Sequence, residues 1–462
     1  MLKLLLASAS LGLPSLCFAN TGQDFTHQPL GFIVLAIFIL SYLCVIFEEQ
    51  THIKKSLPVM LGAGLIWIVI AANWTGDTNA VEHAVKHYLL EYGELLLFLL
   101  VAMTYVNAIT ERGIFDALRV WLVSKGFSYR QLFWLTGFCA FFLSPVLDNL
   151  TTALVLCAVL LAVGKDNPQF ISLGAINIVV AANAGGAFSP FGDITTLMVW
   201  QKGLVEFWTF FALFLPSLVN FLVPAACMSL AISAQTPPSN NADNPLRRGA
   251  WIVLGLFIVT ISLAVSFHSF LHLPPFLGMM TGLALLKFYG YYLSHTHISK
   301  HTDTAHYGQL GDIHPFDSFK FVAQAEWDTL LFFFGVIMCV GGLGFVGYLD
   351  LASHLLYNDL GATIANVLIG MLSAVVDNIP IMVAVLQMNP DMNTGQWLLV
   401  TLTAGVGGSL LSVGSAAGVA MMGQAKGYYT FFSHLKWSWA IALGYALSIA
   451  CHFVVNNALF TG

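Results

Sequence analysis

Charged side chains are scarce in this sequence. Only 9% of its 462 residues are Asp, Glu, Lys or Arg, whereas 58% are hydrophobic, and soluble domains carry roughly 25% charged residues. The formal net charge of −6 is spread thinly along the chain, so no basic surface of the kind that binds nucleic acid is indicated. The composition predicts a protein that is surrounded largely by lipid and has no nucleic-acid partner.

Cysteine is sparse as well, with seven residues in the chain. All of them lie in apolar stretches without close pairing, which argues against disulfides and metal sites. They are Cys17, Cys44, Cys139, Cys157, Cys227, Cys339 and Cys451. We read them as small hydrophobic residues and expect no bound cofactor.

Long hydrophobic runs, by contrast, are abundant. Each of the clearest runs holds about 18 residues or more, enough to cross a hydrocarbon layer of roughly 30 Å as a helix. They are Leu30–Phe47, Ser56–Trp74, Leu89–Thr110, Gly249–Phe267 and Trp327–Tyr348. The sequence therefore predicts an all-α polytopic protein of the lipid bilayer.

Residues 1–19 have the features of a secretion signal. Lys3 supplies a positive charge, Leu4–Leu16 forms a short apolar stretch, and Cys17 and Ala19 stand at the cleavage positions. We predict a signal peptide here, and an uncleaved first helix is the alternative.

The remaining chain is predicted to contain ten spans and two re-entrant helical hairpins, the hairpins at about 130–163 and 361–390. Residues 20–232 and 250–462 would form two halves, joined by a cytoplasmic linker at 233–249. This layout places 14 of the 17 basic residues on the cytoplasmic side and two on the periplasmic side, as the positive-inside rule requires. A full span in place of either hairpin would spoil that bias.

The two halves repeat one another in three places along the chain. The matching segments are Glu91-Tyr92 with Glu326-Trp327, Leu143–Asn149 with Leu372–Asn378, and Asn183–Gly186 with Gly405–Gly408. Each half carries five predicted spans, an odd number, so the halves would lie in opposite orientations. Inverted repeats with broken helices near the midplane are an architecture of secondary transporters.

Asp148 and Asp377 occupy equivalent positions at the predicted tips of the two hairpins. An aspartate at the centre of a membrane helix costs about 2.5–3.5 kcal/mol and is functional by default. The residues that recur around them are Ser144 and Ser373, Pro145 and Pro380, and Asn149 and Asn378. Carboxylate, amide and hydroxyl oxygens at such tips suit a hard cation such as Na⁺ or Li⁺. Ordinary turns that face solvent are the alternative.

A glycine-rich stretch is predicted to break a further helix in each half, at 183–196 and at 404–418. The candidate supporting residues there are Gly185, Gly186 and Ser189 in the first half, and Gly407, Gly408, Ser412 and Ser415 in the second. Tight packing of small residues would also explain the glycines. It would not explain Asn183 and Asp193.

Asp193 breaks the symmetry, because its counterpart in the second half is Ser415. Burial disfavours the charged form of a carboxyl group, and neighbouring carboxyl groups hold their protons more tightly. A group of acids that binds either protons or a metal cation gives exchange by competition. We therefore predict that Asp148, Asp193 and Asp377 hold Na⁺ and exchange it for protons.

Three motifs give the sequence a family resemblance. Residues 144–152 (SPVLDNLTT), 185–193 (GGAFSPFGD) and 377–380 (DNIP) resemble those of NhaD-type sodium/proton antiporters, within the ion transporter superfamily. The resemblance covers essentially the whole chain after the signal. It implies a transporter rather than an enzyme, which exports Na⁺ or Li⁺ in exchange for protons at alkaline pH across a bacterial inner membrane and so serves pH homeostasis.

The resemblance also implies a homodimer in which a fixed scaffold supports an elevator-like transport part containing the hairpins. The site residues carried over by motif are Asp148, Asn149, Thr151, Thr152, Asn183, Asp193, Thr195, Asp377 and Asn378.

Other activities remain alternatives. Import of a dicarboxylate or sulfate by the same fold is opposed by an aspartate at both tips, with no Lys or Arg expected at mid-membrane to compensate. Export of neutral arsenous acid escapes this objection. An intramembrane aspartyl protease would carry Gly-x-Gly before an aspartate, whereas Val375 and Val376 precede Asp377. A membrane scaffold without transport activity would have no use for membrane aspartates.

Overall fold

The computed structural model describes residues 24–76, 78–164, 167–236, 246–298 and 318–461. The predicted signal peptide and much of the predicted linker lie outside these residues. Within them the chain is helical and has no strand, and nine of the described helices are long and apolar enough to cross a membrane. The prediction of an all-α polytopic membrane protein is confirmed.

Side-chain caps begin four helices of the first half of the chain, the sixth to the ninth. Ser128 and Gln131 form a capping box at the start of the sixth helix, and Asn167 caps the eighth. The helices are α1 (Pro29–Ile46), α2 (Glu48–Thr51), α3 (Ser56–Asn73), α4 (Thr78–Glu111), α5 (Ile114–Ser124), α6 (Tyr129–Leu147), α7 (Asn149–Val163), α8 (Pro168–Gly186), α9 (Ile194–Gln201) and α10 (Phe214–Ser229). A 3₁₀ turn over Phe207–Leu213 leads into α10.

The second half follows the same order of long and interrupted helices. They are α11 (Ala250–Leu271), α12 (Pro275–Ile298), α13 (Ser318–Ala323), α14 (Trp327–Phe345), α15 (Tyr348–Ser353), α16 (Ala362–Leu372), α17 (Asn378–Met388), α18 (Thr394–Gly407), α19 (Ala416–Gln424), α20 (Phe431–Leu435) and α21 (Ser438–Val455). A π-helical segment over His354–Asp359 follows α15, and Asn457–Phe460 forms a final 3₁₀ turn.

The predicted helix breaks lie where the sequence placed them. The first predicted hairpin corresponds to α6 and α7, which are interrupted at Asp148, and the second corresponds to α16 and α17. Likewise α8 ends at Gly186 and α9 begins only at Ile194, while α18 ends at Gly407 and α19 begins at Ala416. Each half therefore contains two helices that begin inside the protein rather than at its ends.

The two halves make the same side-chain contact beside each hairpin tip. Ser144 donates its hydroxyl to the carbonyl of Ala182 over 2.6 Å, and Ser373 donates to the carbonyl of Ala404 over 2.8 Å. Both serines are fully buried. In each half this bond joins the first arm of the hairpin to the interrupted helix.

Glycines allow the backbones at these contacts to approach closely. A Cβ on Gly185 would collide with the carbonyl of Phe141, and a Cβ on Gly407 would collide with the carbonyl of Gly370. Gly186 and Gly408 lie in the same way against the carbonyls of Gly192 and Gly414. The glycines therefore serve backbone packing, and the two halves share these close contacts.

Helix packing places one set of helices at the centre and another at the lipid-facing periphery. In the most apolar 18-residue stretch of α8, 89% of the residues are buried, whereas in that of α1 only 17% are buried. In the centre, α9 packs against α17 and α18, and α19 packs against α7 and α8. At the periphery, α1 packs on α3 and α11 packs on α12, while α3 also packs on α14, which is largely buried. Thus the last arm of each interrupted helix packs against elements of the opposite half.

Candidate ion-binding site

The first turns of four helices meet at one cavity. Its lining includes Asn149 at the start of α7, Asp193 and Ile194 at the start of α9, Asn378 at the start of α17, and Ala416 at the start of α19. A helix N-terminus presents unsatisfied N–H groups and a partial charge of about +0.5. Four such ends favour anions, and aspartate side chains of the protein itself provide negative charge there.

Asp193 lies at the centre of this arrangement and is only 4% exposed. Its Oδ1 caps α9 by accepting the backbone N–H and the hydroxyl of Thr195, both over 3.0 Å. Its Oδ2 accepts the side-chain amide of Asn378 over 3.1 Å and that of Asn149 over 3.4 Å. The equivalent asparagines of the two hairpin tips therefore reach the same carboxylate.

Asn183 joins the two interrupted helices and is fully buried. Its Oδ1 accepts the amide of Asn149 over 3.0 Å. Its Nδ2 donates to the hydroxyl oxygens of Ser409, over 2.8 Å, and Ser415, over 2.9 Å. Ser415 also caps α19 by accepting the N–H of Gly418 over 3.3 Å. The residue opposite Asp193 in the repeat thus helps to hold the site.

Asp148 caps α7 with both of its carboxylate oxygens. Oδ1 accepts the backbone N–H of Thr151 over 2.8 Å, and Oδ2 accepts the hydroxyl of Thr151 over 2.9 Å. Its φ is +70°, a conformation that non-glycine residues avoid and that tends to occur at functional sites. Asp148 lines the same cavity as Asp193.

Asp377 is held differently, by a lysine. Its Oδ2 lies 3.5 Å from the Nζ of Lys55, and the two side chains are 17% and 18% exposed. Its Oδ1 is buried and has no hydrogen-bond partner among the described residues. We expected no Lys or Arg at mid-membrane to compensate the acids, and we placed Lys55 in a cytoplasmic segment or at its end. The structure brings this lysine to Asp377, because its long aliphatic stem carries the ammonium group from the start of α3 into the cavity. The side of the membrane on which Lys55 lies stays a prediction.

Comparison with known proteins decides the family. Residues 42–405 match the CitMHS family, described as citrate transporters. The Na(+)/H(+) antiporter NhaD of Vibrio cholerae serotype O1 is 55% identical over 474 residues, which cover 99% of either chain. The chain belongs to the NhaD family.

Further NhaD relatives agree with this assignment. The Na(+)/H(+) antiporter NhaD of Alkalimonas amylolytica is 56% identical over 449 residues, covering 95% of this chain and 93% of the relative. Sodium/proton antiporter 1 of Arabidopsis thaliana is 32% identical over 437 residues, covering 92% of this chain and 72% of the relative. The relatives that carry these names are transporters rather than enzymes.

The three aspartates of this NhaD chain do not form a single carboxylate cluster. Within the described ranges, no group of three or more His, Cys, Asp or Glu side chains is arranged to hold a metal ion. Asp193 receives both tip asparagines, Asp148 is bound by its own helix, and Asp377 is bound by Lys55. Uncharged oxygens must therefore supply most ligands of any bound cation.

Three further predicted site residues carry hydroxyl groups: within the described residues, one of them is hydrogen-bonded and two are not. Ser189 donates its hydroxyl to the carbonyl of Pro145 over 3.0 Å and so fixes the break after α8. The hydroxyls of Thr152 and Ser412 are buried and have no hydrogen-bond partner in the part of the chain that the structure describes. A buried hydroxyl without a partner is unusual in proteins, and neither of these two residues is part of the lining of the cavity at Asp193.

Sequence reasoning missed two parts of this candidate site. Lys55 gave no signal, because it stands beside a polar loop. Gly405, at the position equivalent to Asn183, faces Asp193, so that a Cβ there would lie 3.6 Å from Oδ2. The sequence match between the halves could have shown this. The second half has glycine at the position equivalent to Asn183, and the lack of a side chain there leaves room for the carboxylate of Asp193.

A second cavity lies at the other ends of two of these helices, α9 and α17. Its lining includes Glu94 of α4, Gln201 of α9 and Gln387 of α17. Both polar side-chain atoms of Gln387 and the Nε2 of Gln201 are buried without a hydrogen-bond partner among the described residues. Glu91 and Lys202, which form an ion pair, also line this cavity. Helix α9 thus has a cavity at either end.

Proposed function

We propose that this protein exchanges cytoplasmic Na⁺ or Li⁺ for external protons at a site centred on Asp193. The observation that carries the proposal is the buried carboxylate of Asp193, which receives an asparagine from each hairpin tip. Its relatives are named Na(+)/H(+) antiporters, which supports the same exchange.

Cation binding at this site would use oxygen ligands that are already in place. Asn149 and Asn378 now direct their amide nitrogens at Asp193. Rotation of each amide by half a turn would present its oxygen to a cation that lies beside the carboxylate, since an asparagine side chain carries both a donor and an acceptor end. The hydroxyls of Thr151 and Thr195 and the carboxylate of Asp148 stand close by as further oxygens.

Proton binding at the same site would exclude the cation. A buried carboxylate without a compensating charge is costly, so it holds either a proton or a cation. Protonated Asp193 loses its negative charge and with it the attraction for Na⁺. Binding of one ion therefore drives release of the other, which is the requirement for exchange.

The architecture that we propose around this site is a pair of inverted repeats, 20–232 and 250–462, joined by a linker at 233–249. The matched contacts of Ser144 and Ser373 support it. Each hairpin is taken to be re-entrant, and the helices around Asp193 to move as an elevator against a scaffold that includes α3 and α14. We place the protein in a bacterial inner membrane as a homodimer.

Transport of an anion such as citrate fits this site poorly. The four helix N-termini would suit a carboxylate substrate, but Asp148, Asp193 and Asp377 already stand at three of them as N-caps. Lys55, the single lysine that lines the cavity among the residues that the structure describes, is engaged by Asp377. A substrate anion would therefore meet fixed negative charge.

Proton flux in everted membrane vesicles, followed with a pH-sensitive dye, tests the proposal. Addition of Na⁺ or Li⁺ to vesicles with an imposed proton gradient should release protons from the lumen, whereas K⁺ serves as the comparison cation. Asp193→Asn should abolish the response, because it removes the charge while keeping the shape. Asp391→Asn, an exposed aspartate between α17 and α18, is the matched control and should respond as wild type. Full activity of Asp193→Asn would refute the site, and no response of the wild type to any cation would refute the exchange.

A further inference from the structure

The pairing of Asp377 with Lys55 follows from a local difference between the two hairpin tips. At the first tip, the residue three positions after the aspartate is Thr151, which donates both its N–H and its hydroxyl to Asp148. At the second tip the equivalent residue is Pro380, which has no N–H to donate. Asp377 accordingly makes no capping bond to its own helix, and its carboxylate is left to an outside partner.

Lys55 is positioned for that role by the opposite half of the chain. Its ammonium lies 4.5 Å from the ring centroid of Phe332 on α14, a cation–π distance. The next residue, Ser56, donates its hydroxyl to Asp328 at the start of α14 over 2.5 Å. The lysine therefore stands on a surface built by α3 and α14, and from this surface it reaches the tip of the second hairpin.

The charge of Asp377 also acts on the central carboxylate. Asn378, the next residue, donates to Asp193, and Asp377 is near enough to interact electrostatically with Asp193. A positive charge that balances Asp377 thus sets the potential at the place where we propose that Na⁺ binds.

We propose that Lys55 is the fixed counter-ion of Asp377, a positioning residue that ties the second hairpin tip to α3 and sets the Na⁺ affinity of the Asp193 site. Asp377 then serves as the partner of Lys55 while this pair is intact, and the exchanging carboxylates are Asp193 and Asp148. This inference rests on the proposed cation exchange, and it assigns to Asp377 a role different from that of the other two acids.

A double-mutant cycle on Lys55 and Asp377 tests the inference in the same vesicle assay. The variants are Lys55→Gln, Lys55→Arg, Asp377→Asn and the double variant Lys55→Gln/Asp377→Asn, at protein amounts matched by immunoblot. The half-saturating Na⁺ concentration and the maximal rate are measured separately for each variant.

The expected shifts have opposite signs. Lys55→Gln leaves Asp377 unbalanced and should lower the half-saturating Na⁺ concentration about fivefold. Asp377→Asn leaves Lys55 unbalanced and should raise it by a similar factor or stop exchange. The double variant should return close to the wild-type value, and Lys55→Arg should resemble wild type because it keeps the charge. A loss of packing alone would not produce opposite shifts that cancel.

Three results would overturn the inference. One is a half-saturating concentration in Lys55→Gln equal to that of wild type. Another is a double variant that shows the sum of two losses. The third is a double variant as inactive as Asp377→Asn alone, which would make Asp377 itself an ion carrier. A wild-type protein that exchanges no cation would instead refute the proposed function, so the two failures are distinguishable.

Discussion

The two hairpin tips carry the same Asp-Asn pair and use its two members in opposite ways. The asparagines behave alike, since Asn149 and Asn378 both donate to Asp193. The aspartates do not: Asp148 is bound by uncharged donors of its own helix, and Asp377 by Lys55 of another. The repeat therefore keeps the amides that could become cation ligands and varies the way in which each tip balances its charge.

The largest expected difference between the tips concerns their carboxylates. Asp148→Asn removes a charge held by uncharged donors, so we expect exchange to fall by at least about tenfold. Removal of both members of the other pair, in Lys55→Gln/Asp377→Asn, leaves the net charge unchanged and should keep the rate within about threefold of wild type. Na⁺-driven proton flux at equal protein amount measures both. Equal losses in the two variants would mean that the tips are functionally alike.

A smaller effect is expected from giving the first tip the chemistry of the second. Thr151→Pro removes both donors to Asp148 at a position in the first helical turn where proline is tolerated. Loss of an N-cap costs about 1 kcal/mol, so the thermal midpoint in detergent should fall, and exchange should weaken because Asp148 loses its orientation.

The reverse change is the matched control for this comparison. Pro380→Thr offers Asp377 a local donor, so it should leave the thermal midpoint close to that of wild type while loosening the contact with Lys55. If Thr151→Pro were as stable and as active as wild type, the N-cap formed by Asp148 would contribute neither to stability nor to exchange.

The smallest effect is expected where the two tips are the same. Ser144→Ala and Ser373→Ala each remove one buried hydroxyl-to-carbonyl bond of 2.6 and 2.8 Å. A buried hydrogen bond contributes about 1 kcal/mol, so both variants should lower the thermal midpoint by similar amounts. Unequal losses would show that one hairpin is held to its interrupted helix more tightly than the other.

Much of this arrangement could be predicted from the sequence because it depends on local chemistry. Glycine and proline mark the helix breaks at Asp148, after Gly186 and after Gly407, and the structure has them there. The cost of polar groups in a membrane marked Asp193 as functional, and the family resemblance placed Asn149 and Asn183 in the same site. The ion-coordinating roles of these residues stay predictions.

The position of Lys55 could not be predicted in the same way. It depends on the packing of α3 against α14, which are far apart in sequence, and a lysine near a span end is usually just an interfacial charge. One clue was available, however. The contrast between Thr151 and Pro380 already showed that Asp377 would lack a local partner.

Helix α9 has a cavity at each end, and this arrangement affects how the membrane potential is distributed across the protein. The eight residues of α9 span about 12 Å at 1.5 Å per residue, less than half of a hydrocarbon layer of roughly 30 Å. If α9 lies along the membrane normal and water fills the two cavities from opposite sides, the membrane potential falls mainly across this short layer, and the field that acts on a charge at Asp193 is more than twice the average field of the bilayer. Each elementary charge that crosses the layer gains or loses about 2.3 kcal/mol per 100 mV, within about two turns of a single helix.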